Sequence, residues 1–578
     1  MAYNYDYKGK TVSYEEVLKW TGEIGIYQAA TFLYVACLAF VTSETIYMNF
    51  LGYRMEHWCL VPELQELPFH LQKHLAIPYT SSSNESYENC LMFNVNYTEI
   101  IQEDYDSWER PVNAETEECH SWVFDQSVYP ENIINQWELV CGKNWQVEFV
   151  STVTLLGFLF GSLMGGALSD RFGRVKSLAV GIVIKAFSCL ASTLAPNYIV
   201  LVVARFFVGV AAQHCYVVGF VIAVENVGAG HRAWTGIAYN MFYSFGYALV
   251  PLYAYACRDW RHLQIVMTAP QFIFLLTVWF LPESPRWLIS KAKWNKAEEG
   301  IRKMAAVNKG KLPHDFCISC IEIDETANPE GSKATFLDLF KTPTIRRYTL
   351  ILFVIWFSVN LNYFALSLNA GSLAGDVFLN TSLLGLVEIP ANIICFTLMG
   401  LKVTGRRITL GAINILGGVA CLICVPIILI YEESVAVTAL SIIGKGAVAS
   451  AWAGIYVFTS ELFPTEVRNN AIGTCSMVAR VSGIAAPYVG GLLGDVWSPM
   501  PSLIFGIVGT GSGMLTLVLP ETLGRKLPET IAELESRSRD KNKDAVKQAV
   551  NMEKKSSENM AHDDSGFLDE QKNIVQKF

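Results

Sequence analysis

Gly161-Ser-Leu-Met-Gly165-Gly166-Ala-Leu-Ser-Asp170-Arg171-Phe-Gly173-Arg174-Val-Lys176 is the stretch that decides the fold. Its first part is apolar and dense in small residues, and its second part carries Asp170, Arg171, Arg174 and Lys176. Gly161, Gly165 and Gly166 let another helix approach closely, as small residues do inside a bilayer. The cationic cluster after them marks the cytoplasmic end of a membrane segment. Another apolar run begins near Leu178, so the stretch reads as a tight loop between two membrane spans. Composition agrees: 52% of residues are hydrophobic, 17% are charged and the mean hydropathy is +0.30. Soluble domains carry about 25% charge. A formal net charge of −9 leaves no basic footprint for nucleic acid.

Outward from this loop, apolar runs of about twenty residues are expected to span the bilayer. They lie near 27–50, 147–168, 177–195, 198–222, 233–256, 261–281, 347–370, 377–399, 408–430, 436–459, 470–493 and 499–519. Residues 1–22 are polar and lack the apolar core of a cleavable signal peptide, so the first span is expected to serve as its own targeting signal. Lys and Arg concentrate in the loops 170–176, 230–232, 402–407 and 465–468 and after Pro282. These segments and both termini are therefore expected in the cytoplasm. Residues 52–146 then face outward. They hold Cys59, Cys90, Cys119 and Cys141, enough for two disulfides in any of three pairings. They also hold glycosylation sequons at Asn84 and Asn96, while a third, at Asn380, falls close to a span. In the cytoplasmic loop 282–346, the segments 293–306 and 334–341 read as amphipathic helices. Within 520–578, the Lys/Asp/Glu-rich tail from about 537 reads as disordered.

The chain also repeats. Gly173-Arg174 is echoed by Gly405-Arg406. Glu225 and Arg232 are matched by Glu461 and Arg468, and Pro282-Glu283-Ser284 by Pro520-Glu521-Thr522. Two halves, 23–281 and 347–519, are expected to be related by duplication, with a binding site between them at the midplane. Lys402 stands where the repeat would place an equivalent of Asp170, so an acid–arginine latch is expected to be weaker under the second half.

The pattern Gly166-x-x-x-Asp170-Arg171-x-Gly173-Arg174 resembles the signature loop of the major facilitator superfamily of transporters. A closer resemblance, covering about 22–533, is to the organic cation, organic anion and carnitine transporter family. It is carried by Cys119-x-x-Trp122 with Phe124-Asp125, by Gln136-Trp-Glu-Leu-Val-Cys141, and by Pro282-Glu-Ser-Pro-Arg286-Trp-Leu288. Glu388-Ile-Pro390 and Glu461-Leu-Phe-Pro-Thr-Glu-Val-Arg468-Asn469 complete it. The resemblance implies an all-α membrane protein of the major facilitator fold: twelve transmembrane helices in two pseudo-symmetric six-helix halves, with a large disulfide-bearing extracellular loop. It implies a plasma-membrane transporter working by alternating access. The gating set it suggests is Gly166, Asp170, Arg171, Gly173, Arg174, Glu225, Arg232, Glu283 and Arg286 in the first half and its link, and Gly405, Arg406, Glu461, Arg468 and Glu521 in the second. The loops at 166–176 and 461–468 are expected to latch the outward-open state by ion pairs.

Charge inside a membrane helix is costly, so each such residue is a candidate for function. Arg480, in Met477-Val-Ala-Arg480-Val-Ser-Gly483, keeps its proton and offers a fork matched to a carboxylate. In the resembled family an arginine near this place goes with anion and carnitine carriers and an acid with cation carriers. Its alternative is a structural partner for Glu388 or for a helix-end carbonyl. Glu388 has two readings, a partner for a substrate ammonium or a residue paired to Arg480 or Lys445. Lys445 is read as a substrate contact or as a gating residue. Trp356 and Tyr363, Tyr243 and Tyr247, and Trp452 and Tyr456 share helix faces and would hold an alkylated ammonium over their rings. The other reading of each pair is plain packing. His214 is a weaker candidate, read also as a hydrogen-bonded packing histidine.

Together these residues favour a small organic cation or zwitterion, carnitine-like or an amino-acid-derived amine. No P-loop, metal-ligand spacing or nucleophile motif is present, so neither an enzyme nor direct ATP drive is expected, and no cofactor. Coupling to sodium or to protons is open. The alternatives are an organic anion carrier and, from a different class, a non-transporting receptor or scaffold on the same fold.

Overall fold

The computed structural model describes residues 12–41, 46–79, 87–102, 115–313, 316, 318, 336–431, 434–525, 528 and 530–537. The sequon at Asn84 and the tail beyond 537 lie outside the described residues. A short helix, α1 (Tyr14–Thr21), precedes α2 (Ile26–Val41). The first half continues with α3 (Trp145–Phe172), α4 (Arg174–Thr193), α5 (Tyr198–Glu225), α6 (Arg232–Cys257) and α7 (Trp260–Thr277). After α8 (Trp294–Asn308) come α9 (Pro343–Leu368), α10 (Val377–Leu386) and α11 (Glu388–Gly400). The chain closes with α12 (Gly405–Ile430), α13 (Val435–Leu462), α14 (Arg468–Gly490) and α15 (Met500–Val518).

Local chemistry sets the helix starts. Asn197 accepts from the Val200 amide ahead of α5, and Asp259 accepts from Arg261 and His262 ahead of α7, satisfying first-turn donors. Among the described residues ten helices are long and apolar enough to cross a membrane, or eleven if α1 and α2, bent by 105°, count as one span. Helix α6 is not among them, although a span was expected there. Its 26 residues carry Asn240, Ser244 and three tyrosines before Pro251, and these serve the interior of the bundle. The expected single span 377–399 is present as Val377–Gly400, interrupted only at Val387, three residues before Pro390, whose ring disfavours continuous helix on its N-terminal side. The expected helix at 334–341 is a 3₁₀ turn over Phe336–Phe340. Helix α1, which was not expected, packs beside α8 through Asn308, whose side chain donates to the Thr21 carbonyl at 3.0 Å and accepts from the Tyr27 amide at 2.9 Å.

Segment 52–146 carries two small antiparallel pairs. β1 (His57–Cys59) pairs with β4 (Trp122–Phe124), and β2 (Leu91–Phe93) with β3 (Thr116–Glu118). Of the three open pairings the structure has Cys59 with Cys119 and Cys90 with Cys141, at Cα separations of 5.3 and 5.8 Å. Asn380 is buried and donates to the carbonyls of Leu373 and Ala374, so its amide is engaged inside the protein.

The two halves meet at the end that bears this segment. Asn49 donates to the Ser367 carbonyl at 2.7 Å, Thr152 to the Ile484 carbonyl at 3.3 Å, and Phe50 stacks on Phe378. Arg54 pairs with Glu148 of its own half at 3.3 Å and with Asp495 of the other. At the opposite end a Cβ added at Gly166, Gly230, Gly400 or Gly473 would meet nothing within 4 Å, and the side chain of Asp170 is 71% exposed.

That open end carries two matched clamps. Arg174 pairs with Glu225 at 2.8 Å and with Asp170, while Glu283 accepts from the Arg174 amide at 2.9 Å. In the second half Arg406 pairs with Glu461 at 3.1 Å, and Glu521 accepts from the Arg406 amide at 2.8 Å. Lys402 is exposed, and Arg406 Nη1 donates instead to the Met399 carbonyl at 2.8 Å. Glycine is required at both turns. Gly173 sits at φ +111° and Gly405 at φ +63°, and a Cβ on either would come within 2.5 Å of the capping carboxylate. Each clamp closes inside one half. Among the described residues no ion pair joins 170–176 to 461–468: Arg468 donates to Phe463 and Thr465, and Arg232 pairs with Glu15. Arg171 and Arg286 are exposed.

The two capping carboxyls are shifted in opposite directions. Burial pushes Glu283 above the usual carboxylate value despite its amide bonds. Burial also acts on Glu521, but four backbone amides outweigh it and hold the group below the usual value. A depressed carboxyl stabilises the fold above its unfolded pKa, and this contribution fades as pH falls through the folded value. A raised carboxyl works the other way. At neutral pH Glu521→Gln is therefore expected to cost about 1 kcal/mol, roughly the value of a charge-assisted bond set at a half-exposed site, and Glu283→Gln less. Melting curves of the purified variants check this, and equal losses would contradict it.

Candidate functional site

Between the halves lies a cavity of about 70 Å³. The first half contributes Phe158 from α3, Gln213 and Tyr216 from α5, and Asn240, Tyr243 and Ser244 from α6. The second contributes Asn360, Tyr363 and Phe364 from α9, Glu388 and Asn392 from α11, Trp452 from α13 and Arg480 from α14. The residues come at spacings of three and four along each helix, which puts them on one face. A larger cavity, of about 280 Å³, lies at the closed end near Arg54, Glu148 and Asp495.

Five of the ten residues selected from the sequence line the central cavity: Arg480, Glu388, Tyr363, Tyr243 and Trp452. Four stand directly behind it. Trp356 is fully buried, donates from Nε1 to Thr459 Oγ1 at 3.1 Å, and meets Tyr456 and Trp452 edge to face at 4.6 and 5.6 Å. Tyr247 and Lys445 are also buried, with the Lys445 ammonium 5.3 Å from the Tyr247 ring. His214 is directed elsewhere: its Nε2 lies 2.8 Å from the Ser177 carbonyl and 3.1 Å from the Ser177 hydroxyl, and it packs on Gly181. It serves the α4–α5 contact.

Arg480 and Glu388 differ in their surroundings. Glu388 is 3% exposed. Its Oε2 accepts from Ser244 at 2.7 Å, across the boundary between the halves. Its Oε1 lies 3.0 Å from Lys445 Nζ, a buried ion pair. Arg480 has no carboxylate within ion-pair distance among the described residues. Its guanidinium sits 5.6 Å from the Trp452 ring, and its buried Nε has no acceptor. The site thus presents a free guanidinium beside aromatic faces, facing a carboxylate already held from two sides. A guanidinium so placed is suited to a carboxylate, and the rings to an alkylated ammonium.

Sequence reasoning passed over Tyr216, Asn240, Ser244 and Asn360. Tyr216 donates to Asn240 at 2.5 Å, and Asn360 donates to the Ala479 carbonyl at 2.5 Å. The Oδ1 atoms of Asn360 and Asn392 are buried without a partner. The signal was present: uncharged amides and hydroxyls in mid-span, which hydrocarbon tolerates only when they are hydrogen-bonded or face a polar interior.

Comparison with known proteins adds the following. A family described as sugar (and other) transporter matches residues 86–534. The organic cation transporter protein of Drosophila melanogaster is 35% identical over 538 residues, covering 91% of this chain and 95% of that protein. The human organic cation/carnitine transporter 2 is 32% identical over 533 residues, covering 90% and 94%. Among solved structures, the xylose transporter XylE from E. coli in an inward open conformation aligns with 88% of this chain and 99% of its own, with a TM-score of 0.58 at 15% identity. At that identity the likeness is one of fold.

Proposed function

Because the chain belongs to the sugar (and other) transporter family, and within it to the organic cation and carnitine transporters, we propose that it carries small organic cations or zwitterions across the plasma membrane by alternating access. The observation that carries the zwitterion reading is Arg480, which lines the cavity with no carboxylate partner of its own among the described residues and shares the cavity with Glu388 and six aromatic rings. A carnitine-like molecule sets its carboxylate on Arg480 and its ammonium against Glu388, Tyr363 and Trp452. The cavity of about 70 Å³ lies well below the roughly 300 Å³ at which small-molecule pockets begin, so loading requires the halves to part.

In this reading α6 completes a set of twelve spans and both termini are cytoplasmic. Segment 52–146 is extracellular, its two disulfides form in an oxidising compartment, and Asn84 and Asn96 carry glycans. The end closed by Arg54, Glu148 and Asp495 is then the outer one, and the structure faces inward. A second reading, an organic anion carrier, is favoured by the Lys445–Glu388 pair, which neutralises the one acid at the cavity and leaves Arg480 as the net charge.

Uptake in expressing cells separates the readings. The probes are a quaternary ammonium cation, carnitine and an aryl carboxylate, each with and without sodium. Preference for carnitine is expected. Uptake of the aryl carboxylate alone would install the anion reading. Absence of uptake of all three, with protein at the surface, would overturn the transport reading.

A further inference from the structure

The zwitterion reading gives Lys445 no task, yet the residue is fully buried beside the site. It is 0% exposed and lies behind the cavity wall. Its Nζ is 2.6 Å from Ser367 Oγ, 3.5 Å from the Tyr363 carbonyl and 3.2 Å from the centre of the Tyr363 ring. The charged and titratable groups facing this region are Glu388 from α11, Tyr363 from α9, Tyr243 and Tyr247 from α6, Cys421 from α12 near Gly444, and Arg480 from α14 across the cavity. Of these, Glu388 is the carboxylate at ion-pair distance.

Glu388 therefore faces two ways. It lines the cavity that a substrate enters, and it is the counter-ion of a buried lysine. With Lys445 and Arg480 protonated and Glu388 ionised, the empty site holds one net positive charge. A cationic group that reaches Glu388 would raise this to two, and would leave Lys445 facing only a hydroxyl, a carbonyl and two rings. A buried charge stripped of its partner is strongly disfavoured. A lysine, unlike an arginine, has a way out, because it can release its proton when buried.

We propose that a substrate cation and the Lys445 proton are mutually exclusive counter-ions of Glu388, so that the carrier exchanges one organic cation for one proton. On loading, an N–H bond of Lys445 breaks, its nitrogen keeps the electron pair, and the proton leaves to the solution from which the substrate came. On the far side the substrate departs and Lys445 takes a proton from that solution. The summed charge of Lys445, Glu388 and bound substrate is the same at each stage. This inference rests on the transport reading above and specifies its coupling ion.

The test uses the full chain in liposomes with labelled tetraethylammonium, potential clamped to zero by potassium and valinomycin. With the interior one pH unit more acid, wild-type protein is expected to accumulate the probe about tenfold, the ratio that one-for-one exchange supports. Reversing the gradient should expel it, and imposing a potential should change neither result. Lys445→Arg keeps the cation but holds its proton, so accumulation should fall to about onefold. Should that variant fail to fold, wild-type protein in weakly buffered detergent is expected to release one proton per cation bound, read with a pH dye. Accumulation that follows the potential and ignores the pH gradient, or binding without proton release, overturns the exchange while leaving transport in place. No binding and no uptake of any probe overturns both.

Discussion

Replacing Arg480 with glutamate is expected to abolish uptake of a carboxylate-bearing substrate while leaving the amount of protein at the cell surface unchanged. The two halves of this expectation have different causes. Surface level holds because Arg480 makes no ion pair among the described residues, so reversing its charge breaks no salt bridge of the fold. It lines the cavity rather than the packed interior of α14, where Ala479 and Ser482 make the contacts to Asn360. Uptake fails because the one fork in the cavity suited to a carboxylate becomes a carboxylate itself. Losing a buried charge-assisted contact and facing a like charge instead costs more than about 3 kcal/mol, which is at least about 100-fold in affinity. Labelled uptake beside surface biotinylation gives the answer. Carnitine uptake that persists within a few-fold of wild type would show that the carboxylate binds elsewhere.

Valine at Gly161 is expected to have the largest effect on folding. Helices α3 and α5 run in close contact along a seam of glycines. A Cβ at Gly161 would lie 2.2 Å from the Val210 carbonyl oxygen, one at Gly157 2.3 Å from that of Phe206, and one at Gly209 2.1 Å from that of Thr154. The neighbours are backbone atoms, which cannot swing aside as a side chain can. The helices must separate, losing the close packing that holds small-residue interfaces together in a bilayer. Overpacking of this kind costs about 1–3 kcal/mol at a single well-packed core site, and a branched side chain against backbone sits at the top of that range. Gly166, one turn further on, supplies the control, since a Cβ there meets nothing within 4 Å. Gly161→Val should be lost from the surface and run as aggregate on size exclusion, whereas Gly166→Val should reach the surface. Equal trafficking of the two would refute the seam.

Much of the architecture was legible because it depends on short-range patterns. Apolar runs of span length, the cationic loops and the repeated pairs around Gly173 and Gly405 are all local in sequence, and the glutamates that clamp them were marked by their matched positions. The span 377–399 was read as continuous, and its one-residue interruption at Val387, which Pro390 announced, went unread. Helix α6 was read as a span from its length, yet its polar face lowers its hydropathy below that of its neighbours, because that face serves the cavity. In the site, helical spacing identified the faces of α9, α11 and α13 but not their depth. That is why Tyr363 and Trp452 reach the cavity while Trp356 and Tyr456, on the same faces, stand behind it. The choice of Lys445 rather than Arg480 as the partner of Glu388 depends on how helices from distant parts of the chain are rotated against one another, and no pattern within one helix records that. His214 was a polar residue in a span whose partner, Ser177, lies on the adjacent helix.

The bond from Ser244 to Glu388 has a wider meaning. It ties the first half of the bundle to the second through a residue that also lines the cavity. In the proposed function Glu388 also meets the cargo, so an arriving cation competes with the Ser244 hydroxyl for that carboxylate. Under the proposed function the contact that recognises the cargo and the contact that joins the halves share one carboxylate, so loading and the loosening of that joint are a single event.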